Sequence, residues 1–273
     1  MSIILKSRRE IEMMRRAGNL AHEITYRMVG AVAAGVTTRD LDEIARVMMQ
    51  QAGATSGSLN YPTYKPGEGY PGWTCLSVNE EVVHGVPDKR QLKDGDIITV
   101  DVALKLDGYC ADMATTVAVG KISHPVQKLL DVTKGTLDLA LQMCKPGLRW
   151  SEIARAMQKH VEKAGFSVVR EFVGHGVGRL MHEDPKVPNF VAAEQAKGDF
   201  VLRPGMTFAI EPMVAMGRRD VLMLPDGWTV VTEDRRPAAH FEHTVGITET
   251  GADVLTLGAE VARSVEQKAA SVG

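Results

Sequence analysis

A chain of 273 residues that is 44% hydrophobic and 24% charged has the balance of a soluble globular protein, with enough apolar material for a sizeable core. A formal net charge of −2 leaves no basic footprint for nucleic acid and no charge run suited to a membrane surface. No apolar run approaches the ~18 residues of a spanning helix, and the short apolar stretch in MSIILKSRRE does not make a signal peptide, so a cytoplasmic protein with no membrane partner is expected.

Ser7-Arg8-Arg9-Glu10 reads as a capping box that opens a long helix. Its apolar positions Ile11, Met14, Ala17 and Ala21 recur at helical spacing and predict a helix to about residue 33. A second helix is predicted over about 38–52. The stretch SGSLNYPTYKPGEGYPGW, rich in Gly, Pro and Tyr, then requires a loop. Strands are expected near 74–84, 96–105 and 109–119. After Lys121 the order starts again, with a long helix from Ser123 to about 144, the turn KPGLRW and a shorter helix over about 151–164. Strand-like stretches follow at 166–173, 206–211, 221–224, 228–233 and 240–247. EIARVM at 43–48 and EIARAM at 152–157 occupy the same place in the two runs. These features predict one domain over 1–273, built from two similar helix-helix-sheet halves, about 5–120 and 121–250, fused through one antiparallel sheet in an α+β architecture. A site drawing on both halves would lie at their junction. Cys75, Cys110 and Cys144 are odd in number, widely separated and outside any CxxC spacing; they predict buried small hydrophobes rather than disulfides or a zinc-thiolate site.

The stretch TVDVALKLDGYCADMATT, residues 99–116, places an aspartate in the body of each strand of a hairpin, where Asp is disfavoured. Asp107-Gly108 suits a two-residue turn, which would set Leu106 opposite Tyr109 and Ala103 opposite Asp112. Asp101 then shares a face with Asp112, one diagonal step away, with Cβ atoms roughly 7 Å apart or less. An odd-length loop would put them on opposite faces. Ile98, Val100, Val102 and Leu104 form the buried face. Two like charges this close repel, and each raises the other's pKa, unless a cation or a proton lies between them.

The second half supplies further polar residues in unfavourable places. FVGHGVGRLMHED sets His175 between two glycines, as if something approaches the backbone closely, with His182 seven residues on. GMTFAIEP ends an apolar strand with Glu211 and stops it with Pro212, and HFEHTVGIT puts Glu242 on one strand face with His240 and Thr244. Asp101, Asp112, His175, Glu211 and Glu242 carry too much negative charge to cluster without a cation. Two divalent metals about 3.5–4 Å apart, bridged by carboxylates, would answer this. Oxygen-rich ligation with one imidazole suits manganese, iron, cobalt or zinc rather than a thiol-preferring metal.

In that order, Asp101, Asp112, GHGVGRLMHE, FAIEP and HFEHT resemble a type I methionine aminopeptidase, over about Ile3 to Thr250. SVNEEVVHGVP, with His84, and DGWTVVTEDRRPAAHFEHT, with Trp228, extend the resemblance. It implies the pita-bread (creatinase/aminopeptidase) fold, whose halves share a curved antiparallel sheet. It also implies removal of the initiator methionine from nascent polypeptide N-termini, preferably before a small second residue. Two divalent metal ions (cobalt, manganese, iron or zinc) would be held with Asp101 on one, Asp112 and Glu242 bridging, and His175 and Glu211 completing the other. Metal-activated water would attack the first peptide bond while Glu211 shuttles the proton. His182 would stabilise the oxyanion, and His84 would contact the peptide nitrogen and assist the leaving amine. Tyr61, Tyr70, Cys75, Met181 and Trp228 match the pocket for the methionine side chain. The resemblance further implies action on chains as they are made, for which the ribosome surface is a candidate partner; a monomer is the default expectation.

Two features depart from the family pattern. Met181 stands where phenylalanine is usual, a soft replacement that keeps an apolar pocket and reshapes it. The loop over 62–72 is longer than is common, so Tyr64 could take the place of Tyr61. Two rivals share the fold: a Xaa-Pro aminopeptidase-like enzyme, which has the same ligands but belongs to a group that normally adds a large N-terminal domain, and a non-catalytic pita-bread peptide-binding protein, which would lose ligands that this sequence retains. A type II enzyme would need a helical insertion for which the stretches from His182 to Glu211 and on to Glu242 leave no room.

Overall fold

The computed structural model of the protein describes residues 2–62 and 69–258. Tyr64 lies outside the described residues.

Helix α1 spans Arg8–Val29 and α2 spans Thr38–Gln51. Each opens on a reciprocal capping box, Ser7 with Glu10 and Thr37 with Asp40, which satisfies two of the orphan donors of the first turn. Helix α1 stops short of residue 33. Beyond the cap at Gly30 the bonds tighten to i→i−3, from the Ala31 N–H to the Met28 carbonyl at 2.9 Å and from the Val32 N–H to the Val29 carbonyl at 3.1 Å, and the chain then turns at Gly35, φ 89°, whose N–H donates to the Leu92 carbonyl at 2.8 Å. Midway along α1, a Cβ on Gly18 would lie 2.1 Å from the Leu255 carbonyl oxygen, so only glycine lets the chain pack there. Helices α3 (His124–Met143) and α4 (Trp150–Lys163) repeat the arrangement in the second half. None of these helices is long and apolar enough to cross a membrane.

The expected hairpin forms between Ile97–Leu106 and Tyr109–Ala118, with Leu106 opposite Tyr109 and Ala103 opposite Asp112. Asp107 and Gly108 sit at φ 49° and 85°, the positive values that a two-residue I′ turn demands. Ile98, Val100, Val102 and Leu104 are fully buried against Ala17, Ile24, Leu41, Ala45 and Met49 of the first two helices. A second core joins α3 and α4, through Leu137, Trp150, Ile153 and Met157, to Phe208 and Ile210.

Backbone pairing divides the expected single sheet into four antiparallel sheets among the described residues. The breaks have local causes. The predicted strand 74–84 splits into Cys75–Val78 and Glu81–Val83 because Asn79 turns the chain at φ 59°, its side chain fastened to Asp96 and to the Ile97 N–H at 2.8 and 3.0 Å. The predicted strand 166–173 is reduced to Ser167–Val168, which pairs with Ala215 and Val214 before Pro212 ends that ladder; His175 occupies a separate short strand, Gly174–Gly176. The strand predicted at 240–247 is interrupted at Phe241 and Glu242. Cys75, Cys110 and Cys144 are buried and free.

Leu104→Ala should lower the unfolding free energy by about 2–5 kcal/mol, the cost of a cavity in a packed core. Urea denaturation followed by circular dichroism checks this, and a loss below about 1 kcal/mol would show that the face is less tightly packed than its burial indicates.

Candidate metal centre and adjoining pocket

The hairpin register puts Asp101 and Asp112 on one face, paired with Ala114 and Ala103 respectively. Cys75 lies directly opposite Asp101 on the neighbouring strand, so that face runs on from carboxylate to thiol. The second half contributes His175 from Gly174–Gly176, Glu211 just beyond Thr207–Ile210, and Glu242 between Ala238–His240 and His243–Ile247.

The two halves meet along residues 112–116 and 240–244. The Glu242 N–H donates to the Ala114 carbonyl at 2.9 Å, and the Ala114 N–H returns to the Glu242 carbonyl at 3.4 Å. Threonine hydroxyls flank this exchange. The Asp112 N–H donates to Thr244 Oγ1 at 3.0 Å, and that hydroxyl donates to the Asp112 carbonyl at 2.8 Å. Thr116 Oγ1 accepts from the His240 N–H at 2.9 Å and donates to the His240 carbonyl at 2.8 Å. Thr116 escaped the sequence reading, and Thr244 was noted only as a neighbour of Glu242. The available signal was their two-residue spacing, Asp112-Ala114-Thr116 and His240-Glu242-Thr244, which places each set on one strand face.

The glycines around His175 serve close packing of the protein's own backbone. A Cβ on Gly174 would lie 2.4 Å from the Ala209 oxygen, and one on Gly176 would lie 2.3 Å from the Asp184 oxygen. His175 Nδ1 is 3.1 Å from the Gly176 carbonyl, which can only accept, so Nδ1 carries the proton and Nε2 presents its lone pair. That lone pair faces Glu211 Oε1 at 3.5 Å and Asp112 Oδ2 at 3.8 Å. Asp112, His175 and Glu242 each offer a ligand atom, all within 4.8 Å of one another. Asp101 and Glu211 line the same cavity of about 250 Å³.

Three lone-pair donors pointing at one another repel unless a cation sits between them. Asp112 Oδ1 and Glu242 Oε1 are buried with no hydrogen-bond partner among the described residues, although an unmet buried acceptor is costly. Burial pushes the Asp112 carboxyl up to about 6. Asp101, Glu211 and Glu242 are held well above their ordinary range, first by burial and then by the charge of Asp112. Four oxygen donors and one neutral imidazole therefore fit a divalent cation, and the adjoining Cys75 thiol is itself pushed up by burial and by Asp101, away from the thiolate a soft metal would want.

His84 sits at φ 59°, a strained backbone for a residue with a side chain, directly after the strand Glu81–Val83. Its ring packs edge-on against Phe172 at 5.3 Å. Burial lowers both His84 and His182 to about 4, so each is a neutral donor-acceptor at neutral pH. Tyr61 Oη lies 2.9 Å from His182 Nδ1.

A second cavity, of about 170 Å³, shares His84, His182, Asp101 and Asp112 with the first. Its walls are Tyr61, Tyr70, Cys75, Met181 and Trp228, with Gly57, Ser58 and Ala103. The Tyr70 hydroxyl donates to the Gly85 carbonyl at 2.7 Å and its ring meets Trp228 edge-on at 5.2 Å. A Cβ on Gly57 would lie 2.5 Å from the Met181 methyl, so the glycine makes the room that Met181 occupies. Asp42 on α2, unnoticed in the sequence, accepts the Trp73 and Thr74 N–H groups at 3.0 and 2.8 Å and so holds the segment entering Cys75.

Residues 12–249 match Metallopeptidase family M24. The chain is 48% identical to Methionine aminopeptidase 1 of Bacillus subtilis (strain 168), over 93% of its own length and 99% of the relative's. The chain belongs to the M24 metallopeptidases, among the methionine aminopeptidases. A crystal structure of methionine aminopeptidase from Rickettsia prowazekii superposes with a TM-score of 0.88 at 34% identity, covering 94% of this chain and all of that one (100%). Prolidase from Pyrococcus furiosus shares the fold alone, at 20% identity and a TM-score of 0.73, over 94% of this chain and 66% of that one. The fold is therefore the pita-bread fold of this family, and the chain is a metallopeptidase.

The metal-free protein carries a pH signature. Asp112 titrates near 6 when folded and near 3.9 when unfolded. The folded state therefore holds its proton more tightly, and the stabilisation present below the unfolded value is lost as pH rises through the folded one. The buried histidines titrate with the opposite sign over the same range, so the comparison is with Asp112→Asn: the midpoint difference between chelator-treated wild type and that variant should move against the wild type as pH rises from about 4 to 7, and saturating Mn²⁺ should raise the wild-type midpoint by binding the folded state. A midpoint difference that does not change with pH would contradict the raised Asp112 carboxyl.

Proposed function

We propose that the protein removes the initiator methionine from nascent proteins and peptides, preferably when the second residue is small, by hydrolysing the first peptide bond. One observation carries the reading: an apolar, thiol- and aromatic-walled cavity opens directly onto the carboxylate cavity, and His84, His182, Asp101 and Asp112 line both. A methionine side chain in the first cavity would leave its own amino and carbonyl groups at the second. The homologous relatives' names agree with this substrate.

Asp101, Asp112, His175, Glu211 and Glu242 would hold two divalent cations; the donor set admits cobalt, manganese, iron or zinc. When bound, such ions supply water of near-neutral pKa and Lewis-acid polarisation of a carbonyl. The protein's own groups do the rest. Glu211, buried beside His175, takes the proton of the attacking water on its carboxylate and delivers it to the departing nitrogen. His182 directs a ring N–H at the carbonyl oxygen and stabilises the charge that grows there, a task that its neutral form performs as a hydrogen-bond donor. His84 contacts the peptide nitrogen and assists the leaving amine. Tyr70 and Trp228, locked edge to face, give the thioether a rigid wall, while Cys75, Met181 and Tyr61 complete the pocket. The whole chain works as one catalytic domain whose site lies on the seam of its two halves. We read the protein as a cytoplasmic monomer acting on chains as they emerge at the ribosome surface.

Metal-loaded protein should hydrolyse Met-Ala-Xaa peptides, and Asp101→Asn should abolish that activity. Cleavage restricted to Xaa-Pro substrates would reject the reading. Because Met181 lines the side-chain pocket, Met181→Phe should change the ratio of kcat/KM for methionine over norleucine; an unaltered ratio would remove Met181 from specificity.

A further inference from the structure

The turn over residues 178–183 presents Met181 and His182 to the two cavities, yet it is fastened to the other end of the molecule. The Lys6 ammonium lies 2.5 Å from Glu183 Oε2, and the two side chains are 5% and 7% exposed. Lys6 also donates to the Ile4 carbonyl at 3.1 Å, and its backbone N–H donates to the Gly205 carbonyl at 2.7 Å, so the N-terminal strap is itself held in place. Glu183 follows His182 directly. Its second oxygen, Oε1, accepts the Leu180 N–H at 3.2 Å and closes the turn that carries Met181 and His182. Gly178 records how tight this arrangement is, because a Cβ there would lie 2.4 Å from Glu183 Oε1 and 2.6 Å from Lys6 Cε. The same turn is pinned to the hairpin. Arg179 donates to the Tyr109 hydroxyl at 2.7 Å and lies over its ring at 4.5 Å, and the Cys110 N–H donates to the Gly178 carbonyl at 2.8 Å.

A buried ion pair is a poor source of stability. Desolvation of both charges offsets most of their attraction, and apolar replacements of similar volume are often no worse. What such a pair does supply is a fixed direction, because neither partner tolerates loss of the other. We propose that Lys6 and Glu183 are a positioning pair for the peptidase reaction, setting the His182 ring and the Met181 wall against the hairpin carboxylates. This rests on the role given to His182 above. The pair acts through the turn: the ammonium holds the Glu183 carboxylate inward, the carboxylate holds the Leu180 N–H, and the turn so closed fixes where the next two side chains point. Residues 177 apart in sequence thereby couple the first half's N-terminus to a loop of the second half.

Lys6→Met alone leaves a buried carboxylate unpaired and risks unfolding, so the informative protein is Lys6→Met/Glu183→Leu, which replaces both charges with apolar side chains. It should melt close to the wild type and bind Mn²⁺ with wild-type affinity by calorimetry. Its kcat on Met-Ala-Xaa should fall by roughly 10²-fold, the cost of an ångström-scale misplacement. In a His182→Ala background the same two changes should lower kcat by far less than 10²-fold, since only the Met181 wall is left to misplace, and hydrogen exchange at the Leu180 amide should accelerate with and without metal. An unchanged kcat, or losses that multiply in the His182→Ala background, would overturn the proposal. If the wild type fails to cleave Met-Ala-Xaa, the proposed function falls; the exchange measurement then still judges the pair, and undiminished protection of the Leu180 amide would overturn it.

Discussion

The seam between residues 112–116 and 240–244 is the interaction on which the site depends. It brings Asp112 and Glu242 side by side from different halves of the chain, and it does so with two threonine hydroxyls standing in for part of a regular ladder. Each hydroxyl both accepts and donates, so four backbone groups on the two segments are satisfied without a continuous strand pair. Thr116 and Thr244 are buried at 3% and 0% exposure, and their branched Cβ atoms restrict the rotamers from which they bond. Neither carboxylate can relax away from the other without breaking this set.

That constraint makes the centre electrostatically expensive. Four carboxylates are held where water does not reach them well, and their raised pKa values express the cost. The stability to sustain it comes from two apolar cores placed behind the site, one beneath the hairpin and one between α3, α4 and the strand ending at Ile210. The site is thus pre-formed for divalent metal, which relieves a charge arrangement that folding alone leaves costly. His84 and His182 are kept neutral by burial, which suits hydrogen bonding more than charge.

Precision at the pocket comes from supports outside it. Asp42 on α2 grips the backbone at Trp73 and Thr74, the Tyr70 hydroxyl is tied to the Gly85 carbonyl, and His84 is forced into a left-handed backbone between them. Each fixes a wall whose own side chain has few polar restraints. An apolar pocket of this kind discriminates by shape, since its Met, Cys and aromatic walls offer little directional bonding.

By itself, the sequence determined what was local. The Asp107-Gly108 turn has an even length, so it fixed the register of the hairpin and the common face of Asp101 and Asp112; the capping boxes at Ser7 and Thr37 fixed where two helices begin. The order of acidic and histidine residues pointed to a metal, because so many carboxylates in strands need neutralising. The tertiary structure decided what depends on distance between halves. It set the break of the strand at Phe241 and Glu242, the division of one expected sheet into four among the described residues, and the packing role of the glycines around His175. It alone revealed Asp42, Thr116 and the Lys6–Glu183 pair as supports. Their partners lie tens to more than a hundred residues away, and a polar side chain gives no sign in its own neighbourhood of the distant backbone or charge that it will meet once the chain is packed.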